Sequence, residues 1–312
     1  NINFIHQFSY EKKKNNRWTQ ESFLIKKIYR KYDLSINLTS SDRSVIYALL
    51  ASKKSISAIE KNTKKSWWKK LLLFDSYYFE SDRHILLNNS EPLNLLDLKH
   101  SNILRSIMIS SEVSLNLRKK LSDLGIKEFI IFHPTAQYEY KIYPSHLRDE
   151  LLKRLSKLHV PILITGGGNL IDLKIKKEIP QFDNVYNFIG ETSLIEYVAL
   201  SELSLAYIGM DTLNMHIAAS QNKPIFAIFG PTNVKMWSPW SNVLEHAANR
   251  NKPIQSYGNI TLFQSSLPCN SCGKIGCGSN HNKDEFPYNI LPLTIFNEVY
   301  DWYKKKSNIK PS

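Results

Sequence analysis

No glycine occurs before Gly125, although ordinary usage would place about eight or nine in a stretch of that length. The gap excludes a glycine-dependent phosphate loop from residues 1–124, because such loops need backbone approaches that only glycine tolerates. Cysteine is scarce too: Cys269, Cys272 and Cys277 are the only three. They cannot make a disulfide framework for 312 residues, which fits a reducing compartment and a cytoplasmic protein. No apolar run approaches the roughly 18 residues that a spanning helix requires. Residues 1–20 lack the apolar core of a signal peptide. The first methionine is Met108 and the chain starts at Asn1, so the start reads as processed or truncated.

What is present is the composition of a soluble globular protein: 42% hydrophobic and 22% charged residues, with a mean hydropathy of −0.32. The mass of 36.2 kDa suits two domains. The net charge is +13, unevenly spread: residues 1–125 hold 22 Lys and Arg against 12 Asp and Glu, whereas 126–312 hold 19 against 16. A basic first part implies an anionic partner there, whether nucleic acid, membrane surface or phosphorylated substrate, and a solvated basic face accounts for it as well.

Periodicity predicts alternating strands and helices. A helix over 22–31, a strand over 34–38 (LSINL), a helix over 43–51 and a strand over 55–59 open the chain, and a helix over 111–124 ends at Gly125. From Phe129 the units are regular: strands at 129–134, 160–165, 185–190, 205–211 and 224–229 alternate with helices, as in a doubly wound α/β domain. The division expected is therefore 1–125, 126–285 and a terminal helical segment, 286–312.

Ligands of such sheets bind beyond the carboxyl ends of the strands, so the strand-end loops supply the candidates. HPTAQYEYKIYP (133–144) offers Thr135 and delivers Lys141 beside a helix start, where it could neutralise a diphosphate. TGGG (165–168) suits an anion cradle but reads better as a tight turn. GMDTLNMHIAAS (209–220) places Asp211 and Thr212 at a strand end and His216 on the next helix. Capping alone would explain the first two, but not the histidine. FGPT (229–232) brings Gly230 and Thr232 to a turn that permits close backbone approach of a ligand.

Residues 209–232 resemble the donor-binding signature of glycosyltransferase family nine, the bacterial lipopolysaccharide heptosyltransferases, in which Asp-Thr-Gly, a His and a downstream Phe-Gly-Pro-Thr recur. HPTAQYEYKIYP, YDLSINLTSSDRS (32–44) and CNSCGKIGCG (269–278) are similar to further segments of the family, the last to heptosyltransferase-III-like members. The resemblance implies a GT-B fold of α/β class, with two Rossmann-like doubly wound domains facing a cleft and the first of them incomplete. The first domain would bind the acceptor, the second the nucleotide-sugar, and the terminal helix would cross back to the first.

The implied reaction is inverting transfer of heptose from ADP-heptose to a hydroxyl of the lipopolysaccharide inner core, at the cytoplasmic face of the inner membrane, with no nucleic-acid partner. No cofactor is required, and a divalent cation is left open. Thr135, Lys141, Asp211, Thr212, His216, Gly230 and Thr232 would hold the donor. Leu213 stands where the family has glycine. The family's Gly-Asp pair, whose aspartate is the candidate base, has no counterpart here, so the expected catalytic Asp falls in a missing N-terminal segment.

Two clusters point elsewhere. Cys269, Cys272, Cys277 and His281 have a C-x2-C-x4-C-x3-H spacing, which with the basic first part would suit a zinc-containing nucleic-acid-binding protein. Lys64, Lys65, Trp67, Trp68, Lys69 and Lys70 set two aromatics in a basic run, suited to an anionic membrane carrying the acceptor, or to buried tryptophan with extended lysines. A donor-binding but inactive relative is the remaining alternative.

Overall fold

The computed structural model describes residues 4–6, 8, 13–98, 110–265 and 290–309. Several helices begin where a side chain takes a first-turn amide: Ser41, Asn62, Ser110, Asn169 and Ser193 all do so, and Ser193 with Glu196 forms a full capping box. Two compact units result, Asn1–Ser101 and Asn102–Ser312.

The first unit runs α1 (Lys13–Ile28), β1 (Leu34–Asn37), α2 (Asp42–Ala51), β2 (Lys54–Ile59), α3 (Thr63–Leu72), β3 (Asp75–Tyr78) and α4 (Ile85–Leu95). Its three strands are parallel in the order β1-β2-β3. The central strand β2 is buried on both faces: Ile59 meets Val45 and Leu73 on one side, and Ile56 and Ala58 meet Tyr77 on the other. Its polar residues are satisfied locally. The Ser55 hydroxyl donates to the Ala48 carbonyl at 2.9 Å, and the Ser57 hydroxyl accepts from the Asn37 amide at 2.8 Å.

The second unit runs α5 (Ser111–Asp123), β4 (Ile130–His133), α6 (Ser145–Leu155), β5 (Ile162–Ile164), α7 (Leu170–Glu178), β6 (Val185–Asn187), α8 (Leu194–Leu203), β7 (Tyr207–Met210), α9 (Leu213–Ser220), β8 (Ile225–Phe229), α10 (Val234–Trp237), β9 (Ile254–Tyr257), β10 (Ile260–Gln264) and α11 (Pro292–Ile309). The sheet order is β6-β5-β4-β7-β8-β10-β9, parallel except for the β9–β10 hairpin. Alternate residues face opposite cores: Ile131, Tyr207 and Ala227 pack under α5, α8 and α9, while Ile130, Phe132, Ile208 and Ile228 pack under α6, α7 and α11. Strands buried on both faces explain the near-continuous apolar runs of the sequence.

Two boundaries differ from the sequence reading. The units part at 101/102 rather than 125/126, because α5 buries Leu117 and Leu121 with Phe129 and Leu200 in the second unit's core. The terminal helix, α11, buries Ile295 and Val299 in the second unit, on the side of α6, and Trp302 meets Phe226 edge-on at 5.7 Å. Burial of each such side chain stabilises by about 1.5–3 kcal/mol, enough to anchor this helix to the second unit.

Candidate functional site

Strands β5 and β6 extend from one side of β4, and β7 and β8 from the other. The chain reverses its direction of growth between β4 and β7, and the crevice beyond their carboxyl ends is where a doubly wound sheet binds ligands. A cleft of about 540 Å³ opens there, wholly within the second unit, lined by the loops after β4, β5, β7 and β8. A glycine lets β4 and β7 close together there. A Cβ on Gly209 would lie 2.4 Å from the His133 carbonyl oxygen, opposite it in the β4–β7 register, so no larger residue fits.

The cleft's charge is organised by one pair across the switch point: the Lys141 ammonium donates to Asp211 Oδ2 at 3.2 Å. The lysine side chain is 23% exposed and the aspartate 7%, leaving the cation reachable while its orientation is fixed. Thr212 occupies the N-cap position of α9 without making a side-chain cap bond. Its hydroxyl lies 3.4 Å from the Tyr207 hydroxyl and lines the cleft with His216, Thr135 and Thr232. The capping explanation for Asp211 and Thr212 therefore fails at the side chains. The N-terminus of α9, where the Met215 amide bonds back to the Thr212 carbonyl at 3.2 Å, adds a positive end beside Lys141.

Beneath this pair lies a polar floor. His133 is buried, and its Nδ1 lies 2.9 Å from the Thr165 hydroxyl. The Asn214 amide approaches Nδ1 at 3.1 Å, and the Thr135 hydroxyl lies 3.4 Å from Nε2. Burial pushes the imidazole down to about 3, against the Thr165 hydrogen bond, so it is neutral near pH 7 and serves as a hydrogen-bonding hub. Asp172, in the first turn of α7, takes the Gly167 amide at 2.6 Å and the Asn169 side chain at 3.0 Å on Oδ2. Burial raises its carboxyl, and bonds from Gly167, Thr135 and Asn169 oppose the rise. The TGGG turn thus spends an amide on an internal carboxylate, as expected of a tight turn rather than an open anion cradle.

The sequence model of glycosyltransferase family 9 (heptosyltransferase) matches residues 22–263. The chain belongs to glycosyltransferase family 9. Among curated relatives, it is 26% identical over 249 residues to lipopolysaccharide heptosyltransferase 3 of Escherichia coli, covering 77% of this chain and 72% of that protein. It is 24% identical over 225 residues to the protein of the same name from Escherichia coli strain K12, covering 69% of this chain but only 63% of that protein's length. Among solved structures, it resembles Escherichia coli heptosyltransferase WaaC with ADP at a TM-score of 0.65 and 12% identity, covering 95% of this chain and 82% of that one. Escherichia coli ADP-heptose lps heptosyltransferase II gives a TM-score of 0.59 at 18% identity, covering 94% and 82%. The fold is thereby that of the GT-B-like heptosyltransferases.

Of the family 9 positions read from the sequence, Thr135, Lys141, Asp211, Thr212, His216 and Thr232 meet at the cleft. Gly230 stands behind it: a Cβ there would rest 3.9 Å from the Lys141 backbone, so it abuts the loop that carries the lysine. Leu213 begins α9 with its side chain 59% exposed at the cleft. Its φ is not among the positive ones, so the backbone accepts leucine here without strain. Asn169, Asp172, Asn214 and Trp237, none of them a candidate from the sequence, also line the cleft, as does His133 at the end of β4.

In the first unit, the proposed basic contact divides. Lys64, Lys65, Trp67 and Lys70 are exposed, and Trp68 is half-buried against the Val45–Ile59–Leu73 cluster. Lys69 is a correction: it is fully buried and cannot touch a membrane or an acceptor. Its ammonium donates to the Ser40 carbonyl at 2.6 Å and to Glu60 at 2.8 Å, and pairs with Asp42 at 2.7 Å. Burial alone would lower its basicity, but the two carboxylates keep it raised. Cys269, Cys272, Cys277 and His281 lie outside the described residues. Among the described residues, no group of three or more His, Cys, Asp or Glu could hold a metal ion, and no helix is long and apolar enough to cross a membrane.

Proposed function

We propose that this chain transfers a heptose, with inversion, from ADP-heptose to a hydroxyl of the lipopolysaccharide inner core. The observation that carries the reading is the Lys141–Asp211 pair at 3.2 Å, at the switch point of the sheet and beside the first turn of α9. It is supported by relatives named as lipopolysaccharide heptosyltransferases and by the like fold of WaaC, solved with ADP and with ADP-2-deoxy-2-fluoro heptose.

The transfer breaks the bond between the anomeric carbon and the diphosphate as the acceptor oxygen attacks. The leaving group gains charge, which fixed donors stabilise best where water is excluded. Lys141 and the first-turn amides of α9 fill that need, Thr135, Thr212 and Thr232 offer hydroxyls to phosphate or sugar oxygens, and Asp211 accepts from sugar hydroxyls. His216 stands where it can meet a phosphate. A base must take the acceptor's proton, and that role is assigned to no described residue. The reading requires no cofactor. It gives the acceptor to the first domain and places the protein in the cytoplasm, at the inner face of the inner membrane.

Isothermal titration with ADP and ADP-heptose tests it. ADP-heptose should bind the parent chain and bind an Asp211→Ala variant at least tenfold more weakly, with ADP itself less affected. Absence of binding by either ligand to the parent chain would overturn the assignment.

A further inference from the structure

The outer face of α3 is apolar where a surface helix is normally polar. Trp67 is 64% exposed, Leu71 75%, Leu72 58% and Phe74 62%. Trp67 and Leu71 stand four residues apart and share a face, and the exposed Leu72 and Phe74 follow at the turn into β3. Lysines frame these residues. Lys64, Lys65 and Lys70 are exposed on the helix. The Lys54 ammonium lies 5.9 Å from the Phe74 ring, and that of Lys70 lies 4.8 Å from the Tyr78 ring and donates to its hydroxyl. Residues 61–74 (KNTKKSWWKKLLLF) include five lysines and no acidic residue.

The helix is held in this rotation from within. Ser66 and Lys69 are buried on its inner face, and Lys69 is anchored to Ser40, Glu60 and Asp42. Turning the helix to hide Trp67 would pull a buried ammonium from its carboxylates. The apolar face is therefore a fixed feature of the surface.

We propose that this face, Trp67, Leu71, Leu72 and Phe74 framed by Lys54, Lys64, Lys65 and Lys70, is a docking surface for an anionic phospholipid bilayer. Tryptophan, leucine and phenylalanine enter the boundary between headgroups and acyl chains, while lysine ammonium groups remain at the phosphate level. A second copy of the chain is disfavoured as occupant, because a two-fold contact sets a patch against itself and would place these lysines opposite one another. Nucleic acid would use the lysines but leave the leucines without a role. The inference deepens the functional reading by naming how the chain would meet a membrane-borne acceptor, and it stands or falls separately from the transfer chemistry.

Co-sedimentation of the full chain with vesicles of phosphatidylglycerol and phosphatidylethanolamine, compared with phosphatidylcholine alone, tests it. The chain should bind the anionic vesicles and largely ignore the neutral ones. Combined Lys64→Gln, Lys65→Gln and Lys70→Gln changes should weaken binding about fivefold per lysine, about a hundredfold together, and flatten its salt dependence. Combined Trp67→Ser, Leu71→Ser and Phe74→Ser changes should weaken it at least tenfold with the salt dependence unchanged. Circular dichroism and the titration with ADP, which reads the other unit, establish that both variants are folded. Parent-like vesicle binding by both variants would overturn the proposal, as would sedimentation equilibrium showing a dimer that the serine variant abolishes. A parent chain that binds vesicles but not ADP-heptose would instead sink the transferase reading and leave this one standing.

Discussion

The strand ends of the two units are built in opposite ways. In the first, polar side chains bond to one another beyond the strands. The Asn37 amide bonds to the Thr39 carbonyl at 2.6 Å and to Ser57 at 2.8 Å, Ser44 meets the Thr39 and Ser41 hydroxyls at 2.7 and 2.8 Å, and the Lys69 ammonium closes on Glu60, Asp42 and Ser40. In the second, glycines let backbones approach: Gly209 against His133, Gly166 against Thr135, Gly230 beside the Lys141 loop. Their small profile leaves a cleft of about 540 Å³. The uneven glycine count of the sequence thus separates strand ends crossed by polar side-chain bonds from strand ends where close backbone approach borders a cleft.

The largest effect that would break this contrast comes from adding one methyl group on the glycine side. Gly209→Ala sets a Cβ within 2.4 Å of the His133 oxygen, where the only relief is to part β4 from β7 in the middle of the sheet. A loss of about 3 kcal/mol or more is expected, together with loss of ADP binding, because His133, Lys141 and Asp211 all hang from those two strands. Denaturant melts followed with the titration measure both. A loss under 1 kcal/mol would show that the close approach is not what holds the switch point.

The matching test in the first unit is Lys69→Ala, which removes the fully buried ammonium and leaves Glu60 and Asp42 facing each other. Breaking a buried ion pair from one side costs about 3–5 kcal/mol. Here the Asp42 side chain is 70% exposed and the Glu60 side chain 30%, so both can recover water and the cost falls near 3 kcal/mol. ADP binding should survive in whatever fraction stays folded. A simultaneous loss of nucleotide affinity at full foldedness would mean that the first unit's polar bonds also shape the second unit's cleft.

Of comparable size is an acid sensitivity that arises in the cleft, at His133. Unfolded His133 titrates near 6.5 and folded His133 near 3, so below pH 6.5 the unfolded state holds the extra proton. This contribution to stability is full above 6.5 and falls by about 1.4 kcal/mol per pH unit toward 3. His133→Asn should be less stable at neutral pH, but should lose less on acidification over that window. Equal slopes for variant and parent, from melts between pH 7 and 4, would show that the imidazole is not held neutral.

Much of the second unit was legible because its signals are local. Strands buried on both faces write apolar runs, and Asp211, Thr212 and Thr232 sit directly after them, so six of the seven candidate positions named from the sequence line the cleft. What escaped depends on tertiary packing. The Trp-Trp-Lys-Lys run of α3 is compatible with several helix rotations, and only the partners Asp42 and Glu60 show that Lys69 points inward. Asp172 reads in sequence as an ordinary acidic residue of a helix's first turn, and its turn toward the Gly167 amide is a loop geometry that no pattern announces. The assignment of α5 and α11 to the second unit rests on which core their apolar faces meet. The β9–β10 hairpin did carry a signal, Gly258-Asn259 between two strand-like runs.

The smallest expected effect concerns the one position where the cleft departs from the family signature. Leu213 begins α9 as a helical residue with its side chain 59% exposed, so Leu213→Gly removes little packing. It costs at most about 1 kcal/mol of helix propensity, less at a first-turn position where fraying is already present. If leucine is merely tolerated at the mouth of the cleft, ADP affinity should change by less than about threefold, because the groups proposed to meet the diphosphate, Lys141 and the α9 amides, are untouched. A tenfold gain in affinity for ADP-heptose but not for ADP would mean that the leucine side chain crowds the sugar. The departure would then be the feature that sets which sugar this cleft accepts.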